Sequence, residues 1–405
     1  MWKGFTVGDR GLTSIGDTHP MWSMAYARDG VYRVVGASAV GRSHLKEGSP
    51  RDDAFIVRSL GPWLVVAVSD GLGSRPLSRY GSSSAVEALS TYILEPLVPD
   101  FRQMGDRTAG LPPLRYSTPP PAVDEAGPSF IAKGVAKLLK RLKRRQEDSR
   151  SSPAKMMPDL FKIDSPFSLD NVYSGLQQVG SIAWWPILRS DAVGENGDEG
   201  VTSVGTRAIP ILEDEARLKA IIRDAFEKTH EWLQKQASTL ELDVRELGCT
   251  AVGLLLNVTT GQLAAGQVGD GSSIGLTADG EVLELVNVPE TEDQTTTATI
   301  TSSRWEEHLV CGVWSPPGSD RFTTYFVMSD GVSSDLLYSP DRSALVRWAQ
   351  TMQRNLLSSP TLAQAAAGLL HWLATYEVVG SWDDRTLVAV VKEKEADANS
   401  ERVTQ

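Results

Sequence analysis

Short apolar runs bounded by turn residues alternate with longer helical periods along this chain. VYRVVGASAV (31–40), AFIVRSL (54–60) and WLVVAVSD (63–70) are rich in β-branched residues and read as strands. After the turn-like DGLGSRP a helical period takes over at about 78–94, with Ala85, Val86, Leu89 and Ile93 on one face. A second amphipathic helix is predicted at about 212–236, aligning Leu218, Ile221, Ile222 and Ala225. Strands return in CTAVGLLLNV (249–258), QLAAGQVGD (262–270), SSIGLT (272–277) and EVLELV (281–286), with NVTTGQ and TADGE as hairpin turns. The stretch 288–320 reads as a polar loop region, and RFTTYFVMSD (321–330) as a further strand. Two helices at about 343–357 and 362–376 precede a last strand at 385–391. Strands meet strands through hairpins and helices come in pairs. That predicts an α+β fold of antiparallel sheets covered by helices, rather than an alternating parallel one.

The same pattern sets the domain limits. Residues 1–30 are poorly periodic and read as an N-terminal extension, and 31–392 as one domain. A Pro-, Ser- and Gly-rich insertion containing TPPPAV interrupts that domain at about 99–210, and 393–405 is a charged tail. Within the insertion, 131–146 is helical in pattern, with Ile131, Val135, Leu138, Leu139 and Leu142 on one face and Lys and Arg around them. It is either a basic helix that docks on a partner or membrane surface, or a solvated helix packed on its own domain. No internal repeat is evident.

Composition narrows the class. The chain has 405 residues, 41% of them hydrophobic and 22% charged, enough to bury a core. A net charge of −11 argues against a protein that coats nucleic acid or an anionic membrane. Two cysteines, Cys249 and Cys311, make neither a disulfide framework nor a zinc site, and both lie in apolar stretches. The N-terminus lacks the apolar core of a signal peptide, and no apolar run is long enough to span a bilayer. These features predict a cytoplasmic protein with no transmembrane segment and no nucleic-acid partner.

The candidate chemistry lies where strands end. Three apolar strands run into Asp-Gly, at Asp70, Asp270 and Asp330, and acidic pairs precede two others, at Asp52-Asp53 and Asp383-Asp384. One Asp-Gly after a strand is a turn signal. Five acidic strand ends, if they converge on one sandwich edge, crowd carboxylates that cations between them would relieve. Oxygen ligands without His or Cys favour Mg²⁺ or Mn²⁺ over zinc.

These residues carry a resemblance. GRSHLKEGSPRDDA (41–54), VAVSDGLGS (66–74), GCTAVGLLL (248–256), GQVGDGS (266–272), VMSDGVSSDL (327–336) and SWDDRTLVAVV (381–391) resemble, in order, the motifs of the PPM family, the protein phosphatase 2C type, especially its bacterial members. The resemblance implies an antiparallel β-sandwich flanked by pairs of antiparallel helices, with a two-metal site at one edge. By position it implies metal ligation by Asp53, by Asp70 as the bridging aspartate with the carbonyl of Gly71, and by Asp330 and Asp383. Asp52 would hold a metal-associated water, and Asp270 a third, weaker cation. It implies hydrolysis of phosphoserine or phosphothreonine in a phosphorylated protein substrate by a hydroxide bridging two Mg²⁺ or Mn²⁺ ions, in a pathway with a cognate Ser/Thr kinase.

Two family positions depart. The histidine that many members carry two residues after the bridging aspartate is Leu72 here. His44 either takes that general-acid role or braces its loop. The phosphate-holding arginine of the family is replaced by Gly48, leaving Arg42, Lys46 and Arg51 as nearby phosphate-binding candidates. The alternatives to an active phosphatase are a pseudophosphatase binding module on the same fold, or a metallohydrolase acting on a small phosphorylated molecule.

Overall fold

The structure is a computed structural model and describes residues 22–47, 49–97, 213–286, 297–337, 342–376, 378 and 381–393. The predicted insertion at 99–210, its basic helix at 131–146 and the tail from 394 onward lie outside the described residues.

Two antiparallel sheets face each other. The first has the order β1 (Trp22–Asp29), β2 (Tyr32–Ala39), β11 (Arg385–Lys392), β10 (Phe322–Met328), β7 (Ser272–Thr277) and β8 (Val282–Glu284). The second runs β3 (Ala54–Leu60), β4 (Trp63–Ser69), β5 (Ala251–Asn257), β6 (Leu263–Val268) and β9 (Val310–Trp314). Helices α2 (Ser78–Leu94) and α3 (Glu215–Thr239) cover the second sheet, and α6 (Arg342–Ser358) and α7 (Leu362–Thr375) cover the first. Three shorter helices are α1 (Arg42–Glu47), α4 (Trp305–His308) and α5 (Asp330–Leu337). This is the predicted α+β sandwich.

The continuous apolar runs now have a cause. In β4, Leu64, Val66 and Val68 fill the layer between the sheets, while Trp63, Val65 and Ala67 face α2 and α3. In β11, Val388 and Val390 face inward, and Leu387, Ala389 and Val391 pack on α6 and α7. Both faces of these strands are covered, so alternation disappears and the runs 63–68 and 387–391 are apolar throughout. Each fully buried Leu or Phe in these layers contributes about 2 kcal/mol. The helix face read from the sequence is the buried one: Ala85, Val86, Leu89 and Ile93 of α2 pack with Leu218, Ile222 and Phe226 of α3.

Two expectations need correction, both at sheet edges. The extension expected over 1–30 contains β1, which pairs with β2 from Trp22↔Ala39 to Asp29↔Tyr32. Met24 and Tyr26 of β1 pack toward α7, and Ala27 toward the inter-sheet layer. The loop region expected over 288–320 contains α4 and β9, whose Cys311 and Val313 face the α3 side and Val310 and Trp314 the inter-sheet layer. Each edge strand is half-buried along nearly its whole length, so its apolar signal is diluted.

Candidate metal centre

Antiparallel register gathers the aspartates. Ala54 pairs with Ser69, so Asp53 before β3 and Asp70 after β4 share one end of a hairpin. Val68 pairs with Val252 and Ala251 with Val268, which brings Asp270, two residues beyond β6, to the same end. In the facing sheet, Met328 pairs with Leu387 and with Ser272, so Asp330 after β10 and Asp383 before β11 lie at one end too. Carboxylate oxygens of Asp70, Asp270 and Asp330 all fall within 4.8 Å of one another.

The backbone around them is tightly set. Thr250 accepts from the Asp70 amide at 3.0 Å and returns its own amide to the Asp70 carbonyl at 2.8 Å. Gly71 sits where a Cβ would lie 2.8 Å from the Ser78 backbone and 2.9 Å from the Asp52 carbonyl, so no larger residue fits between Asp70 and α2. Asp53 is fully buried, and its Oδ2 accepts from Ser329 Oγ at 2.7 Å and Thr386 Oγ1 at 2.6 Å. Asp270 Oδ2 accepts from Thr297 Oγ1 at 2.8 Å.

The electrostatics fit a cation-binding cradle. Burial raises Asp70 well above the usual carboxylate range, and Asp53 and Asp330 raise it further. Burial and then Asp384 push Asp53 up to about 7, against hydrogen bonds from Asp70, Thr386 and Ser329. Asp330 rises to about 8 through burial, then Asp270, Asp383 and Asp53. Asp383 stands exposed on the rim, and partial desolvation followed by Asp384 raises its carboxyl. Buried oxygens of Asp53 (Oδ1), Asp270 (Oδ1) and Asp330 (Oδ1) have no hydrogen-bond partner. Unpaired acceptors on crowded carboxylates are what a hard divalent cation satisfies. The residues present therefore fit the implied metals.

A second cluster sits behind the first. Asp384, 2% exposed, accepts from the Gly41 amide at 2.6 Å, the Asp52 amide at 2.5 Å and faces His44 Nδ1 with both oxygens at 3.0 Å. Although burial works to raise it, His44 holds the Asp384 carboxyl below its ordinary value. Burial would lower His44, but Asp384, Asp52 and Asp383 outweigh it and lift the imidazole to about 9. Burial takes Asp52 up to about 6, opposed by His44.

Three of the candidate residues are held in this surrounding cluster. His44 has Nδ1 on Asp384 and Nε2 3.6 Å from Asp52, contacts consistent with the loop-bracing alternative. Asp52 commits its carboxylate to Ser78 Oγ at 3.0 Å, His44 and Arg79 Nη1 at 3.8 Å, not to the Asp70–Asp270–Asp330 group. Arg51 is 3% exposed and donates to Ser23 Oγ of β1 at 2.8 Å. Burial lowers its pKa to about 10 despite Asp384, Asp53 and Asp52, which lie around it. Arg42 is half-buried at the start of α1. Sequence reasoning missed Asp384 as a hub, and Ser329, Thr386 and Thr250 as supports. Ser329 directly precedes Asp330 and Thr386 follows Asp384 by two positions, whereas Thr250 adjoins no aspartate in the sequence.

The fold is an α+β sandwich of two antiparallel sheets with flanking helices, and strand-end carboxylates gather at one edge of it. A family profile described as Protein phosphatase 2C matches residues 40–105 and 190–374, well over half the chain, and the chain belongs to that family. Among solved structures, RsbX in complex with magnesium is similar at 12% identity and a TM-score of 0.39, over 91% of this chain and 98% of that one. Serine/threonine phosphatase Stp1 from Staphylococcus aureus is similar at 11% identity and 0.41, over 89% and 95%. PppA, a key regulatory component of T6SS in Pseudomonas aeruginosa, is similar at 13% identity and 0.41, over 89% and 97%. No curated protein sequence matches the chain. Among the described residues, no helix is long and apolar enough to cross a membrane.

Proposed function

We propose that this chain is a metal-dependent phosphatase acting on phosphoserine and phosphothreonine in proteins, with two Mg²⁺ or Mn²⁺ ions at the strand-end aspartates and Asp270 serving a third. The observation that carries the reading is the convergence of Asp70, Asp270 and Asp330 within 4.8 Å, beside Asp53 and with buried oxygens left without partners. Asp53, Asp70, Asp330 and Asp383, with the Gly71 carbonyl, are the proposed ligands. Bound divalent cations supply Lewis-acid charge to a phosphoryl group and make water more acidic.

The chain's own residues do the positioning. Ser329 and Thr386 fix one oxygen of Asp53 and leave the other free to ligate. Asp384 and His44 hold the Asp52–Asp53 loop against the segment that carries Asp383. Arg42 and Lys46 of α1, beside the rim, and Arg51 before Asp52 are the phosphate-binding candidates. The substrate is a phosphorylated protein, and a cognate Ser/Thr kinase would supply it.

The test is turnover of phosphopeptides with Mn²⁺. Hydrolysis should stop with EDTA and fall at least a hundredfold in Asp70→Asn and Asp330→Asn. Pure protein that binds Mn²⁺ but turns over no phosphopeptide and no small phosphoester would sink the enzyme reading. That outcome would favour the binding-module alternative, which Leu72 and the burial of Arg51 motivate. Turnover confined to small phosphoesters would point to the small-molecule metallohydrolase.

A further inference from the structure

Among the described residues, two large apolar side chains are exposed: Leu45 at 47% and Trp382 at 56%. Single exposed apolar residues are ordinary when scattered over a surface. These two border the same edge of the sandwich. Trp382 immediately precedes Asp383 on the rim, and Leu45 immediately follows His44 on α1. Ser43 joins the two segments, donating its amide at 3.0 Å and its hydroxyl at 2.8 Å to the Trp382 carbonyl. Gly41 packs so closely that a Cβ there would lie 2.5 Å from the same carbonyl. An exposed indole is thus carried on a firmly held backbone.

We propose that Trp382 and Leu45 form a docking rim that selects phosphorylated peptides carrying a large apolar side chain one to three residues from the phosphorylated position. This rests on the reading of the neighbouring aspartates as a phosphoprotein site. The reach follows from chain geometry. Neighbouring Cα atoms lie about 3.8 Å apart, so the indole starts close to Asp383. An extended peptide advances about 3.3 Å per residue, which brings a flanking side chain over the rim while the phosphate faces the aspartates. The occupant is a phosphopeptide on charge grounds. Arg42 and Lys46 share α1 with Leu45 and complement the phosphate, while the flat indole and Leu45 complement an apolar neighbour.

The experiment compares two fluorescent phosphonate peptides, which carry a non-hydrolysable phosphoserine analogue, one flanked by Leu and Phe and one by Ala at those positions. Anisotropy with the full chain and Mn²⁺ should favour the Leu/Phe peptide by about tenfold. Trp382→Ala should cut that preference to under twofold, Trp382→Phe should keep most of it, and Leu45→Ala should weaken it. Thermal unfolding checks that each variant remains folded. The proposal is overturned if wild type binds both peptides equally, or if folded Trp382→Ala keeps the full preference. The matching phosphoserine peptides separate the two claims. Turnover without preference ends the docking rim and leaves the phosphatase standing. Preferential binding without turnover does the reverse.

Discussion

A strand-end aspartate followed by glycine is legible in a sequence, because the apolar run before it fixes where the strand stops. Asp70, Asp270 and Asp330 stand at such strand ends, and the register brings them together. The roles of neighbouring charges were not legible. Asp383 and Asp384 are adjacent and identical, yet one is on the rim and the other at 2% exposure holds three partners. Arg51 reads as a phosphate-binding candidate beside acids, and nothing in its neighbours in sequence shows that it is buried against Ser23 of β1. Asp384 carries a prediction at this scale. Asp384→Asn keeps the shape but removes the charge that opposes the His44 imidazolium. Breaking one side of a buried ion pair costs about 3 kcal/mol. Urea unfolding should show that loss, and the His44 pKa followed by NMR should drop from about 9. A stability change under about 0.5 kcal/mol would mean the pair is not a structural element.

Elements position the site through close backbone approach. α5 begins at Asp330, and a Cβ on Gly331 would lie 1.9 Å from the Asp384 carbonyl oxygen. The Tyr376 hydroxyl lies 3.0 Å from the Gly331 carbonyl, tying this turn to the end of α7. Gly331→Ala must therefore push α5 away from the 383–384 segment, moving Asp330 relative to Asp383. Overpacking of this kind costs about 2 kcal/mol. Calorimetric Mn²⁺ affinity should weaken about tenfold or more, a displacement of ligands by a few tenths of an ångström being enough. Gly73→Ala serves as the control, since its Cβ would meet only His44 Nε2 at 3.8 Å. Equal Mn²⁺ affinity in both variants would show that the approach at Gly331 does not set the site. Central strands and long helices, β4, α2 and α3 among them, were legible because burial on both faces makes their composition uniform. β1 and β9 were not, since an edge strand with half-buried side chains differs little in composition from a loop.

For the whole molecule, the crowded carboxyls make stability depend on pH and metal together. Asp52, Asp53 and Asp330 titrate near 6, 7 and 8 in the folded chain, against about 3.9 in an unfolded one. Between about pH 4 and pH 8 the folded state then binds more protons than the unfolded state. Stability therefore falls as pH rises through that window. His44 adds the same sign between about 6.5 and 9, its folded value being raised. Asp384 is held low and works the other way, losing its contribution as pH falls below about 4, outside the window. In EDTA, the unfolding temperature should decline steadily from pH 5 to pH 8. Saturating Mn²⁺ replaces the protons on these carboxyls, so the decline should flatten or reverse, with a gain of about 2.7 kcal/mol at a hundred times the dissociation constant. Proton release on Mn²⁺ addition at pH 6.5 should appear as a buffer-dependent binding enthalpy. A flat profile in EDTA, with no such release, would mean that the aspartates are not mutually destabilising. The case that they await cations would then lose its electrostatic basis.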